Sequence, residues 1–188
     1  MEIFLETDRL VLRKFTENDV DNLFDLNSDP AVMHYLTRMV PTPREVVRDE
    51  ILPRFLRFYE QLEGRGFWAA IERATGKFLG WFGLLQPADG GLDEAEMGYR
   101  LRRSAWGKGY GTEGARELIR KSFTELGVWR VTAHTMAVNL ASRRVMEKAG
   151  LTFVRTYYPA FDDPIDGTEL GEVEYALNKA DWERLDRR

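Results

Sequence analysis

The most chemically suggestive stretch of this 188-residue sequence is residues 102–113: Arg102, Arg103, Ser104, Ala105, Trp106, Gly107, Lys108, Gly109, Tyr110, Gly111, Thr112 and Glu113. Three glycines in five residues let the backbone take positive φ and come close to a ligand. A helix opening just after them offers unpaired N–H groups and about half a positive charge at its N-terminus. Together these make a cradle for phosphate, and Arg102, Arg103 and Lys108 add local positive charge. The plainer alternative is a flexible surface turn. A nucleoside triphosphate loop is excluded, because Gly109 rather than Ser or Thr follows Lys108. Gly109, Gly111 and Gly114 do satisfy the GxGxxG spacing of dinucleotide-binding turns. They begin well after the preceding strand ends, however, and the next strand, residues 131–135, lacks the terminal acid that holds a ribose.

A second constellation lies in residues 139–153, where Asn139 precedes an amphipathic run, Ser142 follows about one turn later, and Glu147-Lys148-Ala149-Gly150 leads to Phe153. Asn139 is a natural helix N-cap, and Ser142 can serve only to satisfy helix backbone. Glu96 and His134 are candidate proton-handling groups. Their bland alternatives are a solvated strand carboxylate and a hydrogen-bonded core histidine. The absence of cysteine removes thiolate metal ligands and any cysteine acyl-enzyme, and no metal site is expected.

These residues need elements to hold them. Residues 10–15 alternate as a strand, Thr16 caps a helix reaching about residue 27, and Asp29-Pro30 opens a short helix carrying Val32, Met33, Tyr35 and Leu36. Residues 45–62 form a longer amphipathic helix that Pro53 is expected to kink. Residues 67–72, 78–85 and 94–101 read as a meander, residues 112–126 as a helix, 131–135 as a strand, 140–149 as a helix ended by Gly150, and 151–157 and 172–177 as strands. The order is a mixed α/β arrangement, and 188 residues with 44% hydrophobic composition suit one domain, residues 1–188.

The run Asn139-x-x-Ser142 followed by Glu147-Lys148-x-Gly150 and an aromatic resembles the signature of the GNAT superfamily of N-acetyltransferases. Residues 106–113 are similar to the pyrophosphate loop of its RimJ/RimL branch, the ribosomal-protein N-terminal acetyltransferases. Thr7-Asp8-Arg9-Leu10-Val11-Leu12-Arg13, Glu96-Met97-Gly98-Tyr99, Tyr175 and Trp182 echo the same branch, so the resemblance covers nearly the whole chain. Trp106 departs from the Gln or Arg that opens the general superfamily loop, as that branch commonly does.

The resemblance implies a mostly antiparallel central sheet with splayed middle strands and flanking helices, and acetyl-CoA as co-substrate. Arg103, Lys108, Gly109, Tyr110, Gly111 and Thr112 would hold its pyrophosphate, and Tyr99 and Leu101 would meet the pantetheine arm between the splayed strands. Asn139 would contact the pantetheine amides. Ser142 would sit near the thioester sulfur as the acid for the leaving thiolate, Glu96 would be the first candidate base with His134 second, and an N–H near Tyr99 would stabilise the oxyanion. An α-amine acceptor of pKa about 8 costs roughly 1 kcal/mol to deprotonate at neutral pH, against about 5 kcal/mol for a lysine-like amine.

The acceptor is expected to be a primary amine, either a protein N-terminus or a small molecule. The first helices and the late loop should choose it, with His34, Tyr35, Phe67, Trp68 and Trp81 offering aromatic surface and Asp162, Asp163, Asp166 and Glu169 favouring a cation; the plainer alternatives are core aromatics and solvated acids. The net charge of −4 argues against nucleic acid as a partner. No stretch approaches the ~20 apolar residues of a membrane span, and a reducing cytoplasm fits the lack of cysteine. The competing reading is a CoA-binding regulatory module without catalysis. A homodimer is an analogy with the family.

Overall fold

Short runs rich in β-branched and aromatic residues build eight strands among the described residues, with burial alternating along some and nearly continuous along others. The protein is described from a computed structural model covering residues 2–37, 40–88, 90–160 and 164–186. The strands are β1 (Ile3–Glu6), β2 (Leu10–Lys14), β3 (Gly66–Glu72), β4 (Phe78–Leu85), β5 (Glu94–Leu101), β6 (Arg130–Met136), β7 (Thr152–Tyr157) and β8 (Glu172–Asn178). They hydrogen-bond in the order β1-β2-β3-β4-β5-β6-β8-β7. β5 and β6 are parallel, whereas β1–β2, β2–β3, β3–β4, β6–β8 and β7–β8 are antiparallel. The helices are α1 (Val20–Ser28), α2 (Pro30–Met33), α3 (Arg44–Val46), α4 (Leu52–Gln61), α5 (Tyr110–Thr124), α6 (Leu140–Lys148) and α7 (Lys179–Asp186). The result is the open, mostly antiparallel α/β sheet with helices that the sequence pointed to.

The described residues fall into two compact units, one built from the chain up to Leu84 with Tyr99–Gly114, the other from Leu85–Gly98 with the chain from Ala115 onward. In the first, Trp68 stacks on Phe4 at 3.7 Å and Phe55 on Phe67 at 3.9 Å, and Phe15, Phe78 and Phe82 are buried. Phe67 and Trp68 are 8% and 1% exposed, so they belong to the core and offer no acceptor surface. Asp19 closes a capping box with Thr16 and takes both arms of Arg13 at 2.8 and 2.7 Å. In the second unit, Ala95, Met97, Leu118, Ile119, Phe123, Val131, Ala133, Val173 and Tyr175 are buried, and Tyr175 links β8 to α6 through Arg143 and Glu147.

Several elements differ from the sequence reading. The expected kink at Pro53 is instead a π turn, Val47–Ile51, ahead of α4. Proline has no N–H to donate and its ring crowds the carbonyl four residues back. The wider turn accommodates both, with Leu52 N–H reaching Val47 O. α2 is shorter than expected and leaves Tyr35 and Leu36 in the following turn. β1 was missed because it is a short edge strand with Ile3 45% exposed and acids on either side. α7 was missed although Trp182 packs against Phe123 at 5.6 Å and Asp181 suits a first helical turn. Asp162 and Asp163 lie outside the described residues.

Candidate functional site

In the first unit, β5 leads through a 3-10 turn, Arg103–Ala105, into the glycine-rich loop, and α5 begins at Tyr110, two residues earlier than expected. Gly109 O accepts from Glu113 N–H at 3.0 Å, so Gly109 is the N-cap and the N–H groups of Tyr110, Gly111 and Thr112 are the helix's orphan donors. Among the described residues, none accepts from the backbone N–H groups of residues 107–112. Gly107 and Gly109 have φ of 72° and 85°, which aims successive amides outward where a side-chain-bearing residue would be strained. Arg103 and Lys108 are exposed beside them. This set of donors and charges fits a pyrophosphate. Gly114 answers a different need: a Cβ there would sit 2.3 Å from Phe82 Cζ, so its absence lets α5 lie close on β4.

The loop is held by residues that sequence reasoning did not assign to it. The Glu113 carboxylate accepts from the Thr7 hydroxyl at 2.5 Å, from Arg9 N–H at 3.0 Å and from Arg9 Nε at 2.6 Å, while Arg9 Nη1 donates to Lys108 O at 2.9 Å. The Arg9 guanidinium lies 4.6 Å from the centroid of the Tyr110 ring. Burial pushes the Glu113 carboxyl up, but the bonds from Thr7 and Arg9 outweigh it and hold the group below its ordinary range. The Tyr110 hydroxyl donates to Glu72 at 2.5 Å, which pushes the phenol up. The signal available in the sequence was the Thr7–Arg13 run, which resembles the RimJ/RimL branch and carries no assigned role in the loop. Trp106 Nε1 donates to Leu101 O at 2.8 Å and ties the head of the loop to the end of β5. Tyr99 packs on Phe82 at 5.9 Å. The Arg102 guanidinium turns instead to Asp25 at 3.3 Å and lies over Phe78, so it is not part of the cradle.

The second unit contains Glu96, His134, Asn139 and Ser142. The pairing of β5 with β6 runs Glu94↔Arg130, Ala95↔Val131 and Glu96↔Thr132. Both strands continue beyond it, to Leu101 and Met136. Glu96 thus stands at the last paired step. Asn139 does cap α6, its Oδ1 accepting from Ser142 N–H at 3.2 Å, and both side chains are half-buried. The Tyr157 hydroxyl donates to Glu172 at 2.7 Å and contacts His134 Nδ1 at 3.0 Å. Burial first, then Glu172, pushes the Tyr157 phenol well up, with Glu96 and Glu174 adding to it. Glu169 in the late loop accepts from Gly167 N–H at 3.0 Å. A groove of ≈ 580 Å³ lined by Trp129, Thr152, Val154, Asn178 and Leu185 contains none of the candidate residues.

Comparison with known proteins settles the family. The pattern described as "Acetyltransferase (GNAT) domain" matches residues 9–152, most of the chain. The chain belongs to the GNAT acetyltransferase family. As such it is an acetyl-CoA-dependent N-acetyltransferase. This acetyltransferase is 35% identical over 192 residues to the "FsC-acetyl coenzyme A-N(2)-transacetylase" of Aspergillus fumigatus, covering 97% of this chain and 79% of that protein. Among solved structures it resembles a GNAT-family acetyltransferase from Bacillus anthracis, with TM-score 0.78, 22% identity, and 96% and 99% of the two chains covered. It also resembles RimL, a ribosomal L7/L12 α-N-protein acetyltransferase solved with coenzyme A, with TM-score 0.77, 20% identity, and 94% and 98% covered. Among the described residues, no group of three His, Asp or Glu is clustered to hold a metal ion, and no helix is long and apolar enough to cross a membrane.

Proposed function

We propose that this acetyltransferase moves the acetyl group of acetyl-CoA to a primary α-amine by direct attack in a ternary complex. The observation that carries the reading is the row of unpaired amides entering α5, fixed in place by Thr7, Arg9 and Glu113. Amides from Lys108 to Thr112, with Arg103 and Lys108, bind the pyrophosphate, and the backbone near Tyr99 and Leu101 receives the pantetheine arm. Acetyl-CoA supplies an acyl carbon already activated for attack. Asn139 orients the arm while capping α6, Glu96 takes the acceptor's proton directly or through water, a backbone N–H near Tyr99 steadies negative charge on the acyl oxygen, and Ser142 protonates the departing sulfur. An α-amine is favoured over a lysine-like one because it needs little help to lose its proton. The name of the Aspergillus relative, an acetyl coenzyme A-N(2)-transacetylase, supports transfer from acetyl-CoA to a nitrogen.

Within the family we read the chain as RimJ/RimL-like, on the strength of Trp106 at the head of the loop and the Thr7–Arg13 motif. It acts as a single domain, since the matched pattern at residues 9–152 runs through both compact units. A cytoplasmic setting belongs to this reading, and a homodimer would follow the family analogy.

Calorimetric titration of acetyl-CoA into the unaltered protein and a Gly109→Trp variant tests the cradle. Binding lost in the variant is expected, since φ of 85° disfavours a side chain and the indole would cover the amides. A mass-spectrometric panel of alanine methyl ester, a peptide N-terminus, spermidine and an aminoglycoside then reads the acceptor. Equal binding by both proteins would sink the cradle assignment, and transfer to side-chain amines alone would sink the α-amine class.

A further inference from the structure

We propose that His134 is a second catalytic residue, which receives the acceptor's proton on Nε2, and that Tyr157 and Glu172 are positioning residues that fix its tautomer. The inference rests on the acetyl-transfer reading and deepens it at the proton-handling step. An ionised carboxylate only accepts hydrogen bonds, so at the 2.7 Å contact Tyr157 must donate its one proton to Glu172. The 3.0 Å contact between Tyr157 Oη and His134 Nδ1 then has a single solution: Nδ1 carries the hydrogen and donates it to the phenol oxygen. In the neutral ring Nε2 is left as the atom with the basic lone pair. The rings meet edge to face at 5.7 Å and 85°, which restrains the imidazole plane as well.

The strand register puts that base where the reaction needs one. Glu96 faces Thr132 at the last pair between β5 and β6, and His134 is two residues on, so it shares Thr132's face just past the point where pairing stops. On β5 the corresponding step beyond Glu96 is Gly98, which has no side chain to fill the space. His134 is half-buried and therefore reachable. The groups that share its surroundings are Glu96 on β5, Arg130 and Thr132 on its own strand, Arg155 and Tyr157 on β7, and Glu172 and Glu174 on β8. Glu174, directly opposite, is neutralised by Arg130 at 3.2 Å and Arg155 at 2.7 Å. Acids on this face attract an ammonium, and an imidazole is better matched than a carboxylate to an α-amine's proton. In the step, the ammonium N–H bond breaks and its proton moves to Nε2, directly or by way of Glu96. The freed amine forms the C–N bond and the C–S bond breaks; Ser142 gives its proton to the departing thiolate and takes the second proton that the nitrogen loses on becoming an amide, and the imidazolium returns the first proton to solvent.

The chain contains two histidines, His34 and His134, so a His34→Gln background isolates one imidazole for long-range ¹H–¹⁵N NMR. The Nδ1–H tautomer is expected in the neutral ring, with Tyr157→Phe releasing it toward a mixture and Glu172→Gln having a smaller effect. An Nε2–H tautomer in the otherwise unaltered protein would overturn the arrangement. The second readout is kcat/KM against pH with alanine methyl ester. His134→Gln should lower it about a hundredfold or more and remove the acidic limb, and Tyr157→Phe should lower it about tenfold. If Glu96→Gln abolished transfer while His134→Gln kept both rate and pH profile, the acetyl-transfer reading would stand and the role of His134 would fall.

Discussion

Replacing Glu113 by Ala removes the anchor that Thr7 and Arg9 share, and the structure allows the cost to be worked out. Two bonds, from the Thr7 hydroxyl and the Arg9 amide, are each worth about 0.5–1.5 kcal/mol net. The ion pair adds only about 0–1 kcal/mol, because the Arg9 side chain is 46% exposed and screened by solvent. The sum is about 2–3 kcal/mol, which at this chain length lowers Tm by about 4–10 °C. To the extent that the same energy holds the loop in its binding geometry, the acetyl-CoA dissociation constant rises about tenfold to a hundredfold. Differential scanning calorimetry and isothermal titration read the two quantities on one preparation. The pH dependence supplies a further check on sign. The folded Glu113 carboxyl sits below its ordinary value, so its contribution is complete above the ordinary carboxylate range and is lost as pH falls through the folded value. The gap in Tm between the unaltered protein and Glu113→Gln should therefore narrow in acid. A variant that melts lower yet binds acetyl-CoA within twofold of the unaltered protein would refute the link from clamp to cradle.

Other perturbations have equally definite outcomes. Asp19→Asn leaves the Arg13 guanidinium without its buried partner and should cost about 3–5 kcal/mol in urea unfolding. Burial pushes the Asp19 carboxyl up, but Arg13, Thr16 and Asn22 together hold it below its ordinary range, so this contribution too fades only in acid. Gly114→Ala forces a methyl against Phe82 and should destabilise by about 1–3 kcal/mol, read as a lower urea midpoint; an unchanged midpoint would show that Phe82 moves aside freely. Ser142→Ala should keep acetyl-CoA affinity and lower kcat, and full turnover at saturating substrates would remove its role as acid.

The loop was legible in the sequence because its chemistry is local: glycine spacing, basic neighbours and a following amphipathic run all fall within residues 102–124. Asn139 was legible for the same reason, since a cap acts on the next turn of its own helix. Thr7, Arg9 and Glu72 were not, because each meets the loop across long sequence separations that no periodicity records. The contact of His134 with Tyr157 depends on strand order, and β8 lies between β6 and β7 in the sheet although it comes last in sequence. Phe67 and Trp68 follow the plainer of their two readings and are core; the sequence left both open because an aromatic on a strand looks the same whether its face is covered or open.

Glu113 and Arg9 are 104 positions apart, and their contact cannot form until more than half of the chain has been drawn together. Closing a loop of that length is among the slower and entropically dearer events in assembling a domain. The glycine-rich turn should therefore acquire its final shape late on the folding path, after the hairpins and α5 have formed locally. Acetyl-CoA added during refolding would then leave the early rate unchanged and speed only the closing phase, so the co-substrate reports on completion of the fold rather than on its nucleation.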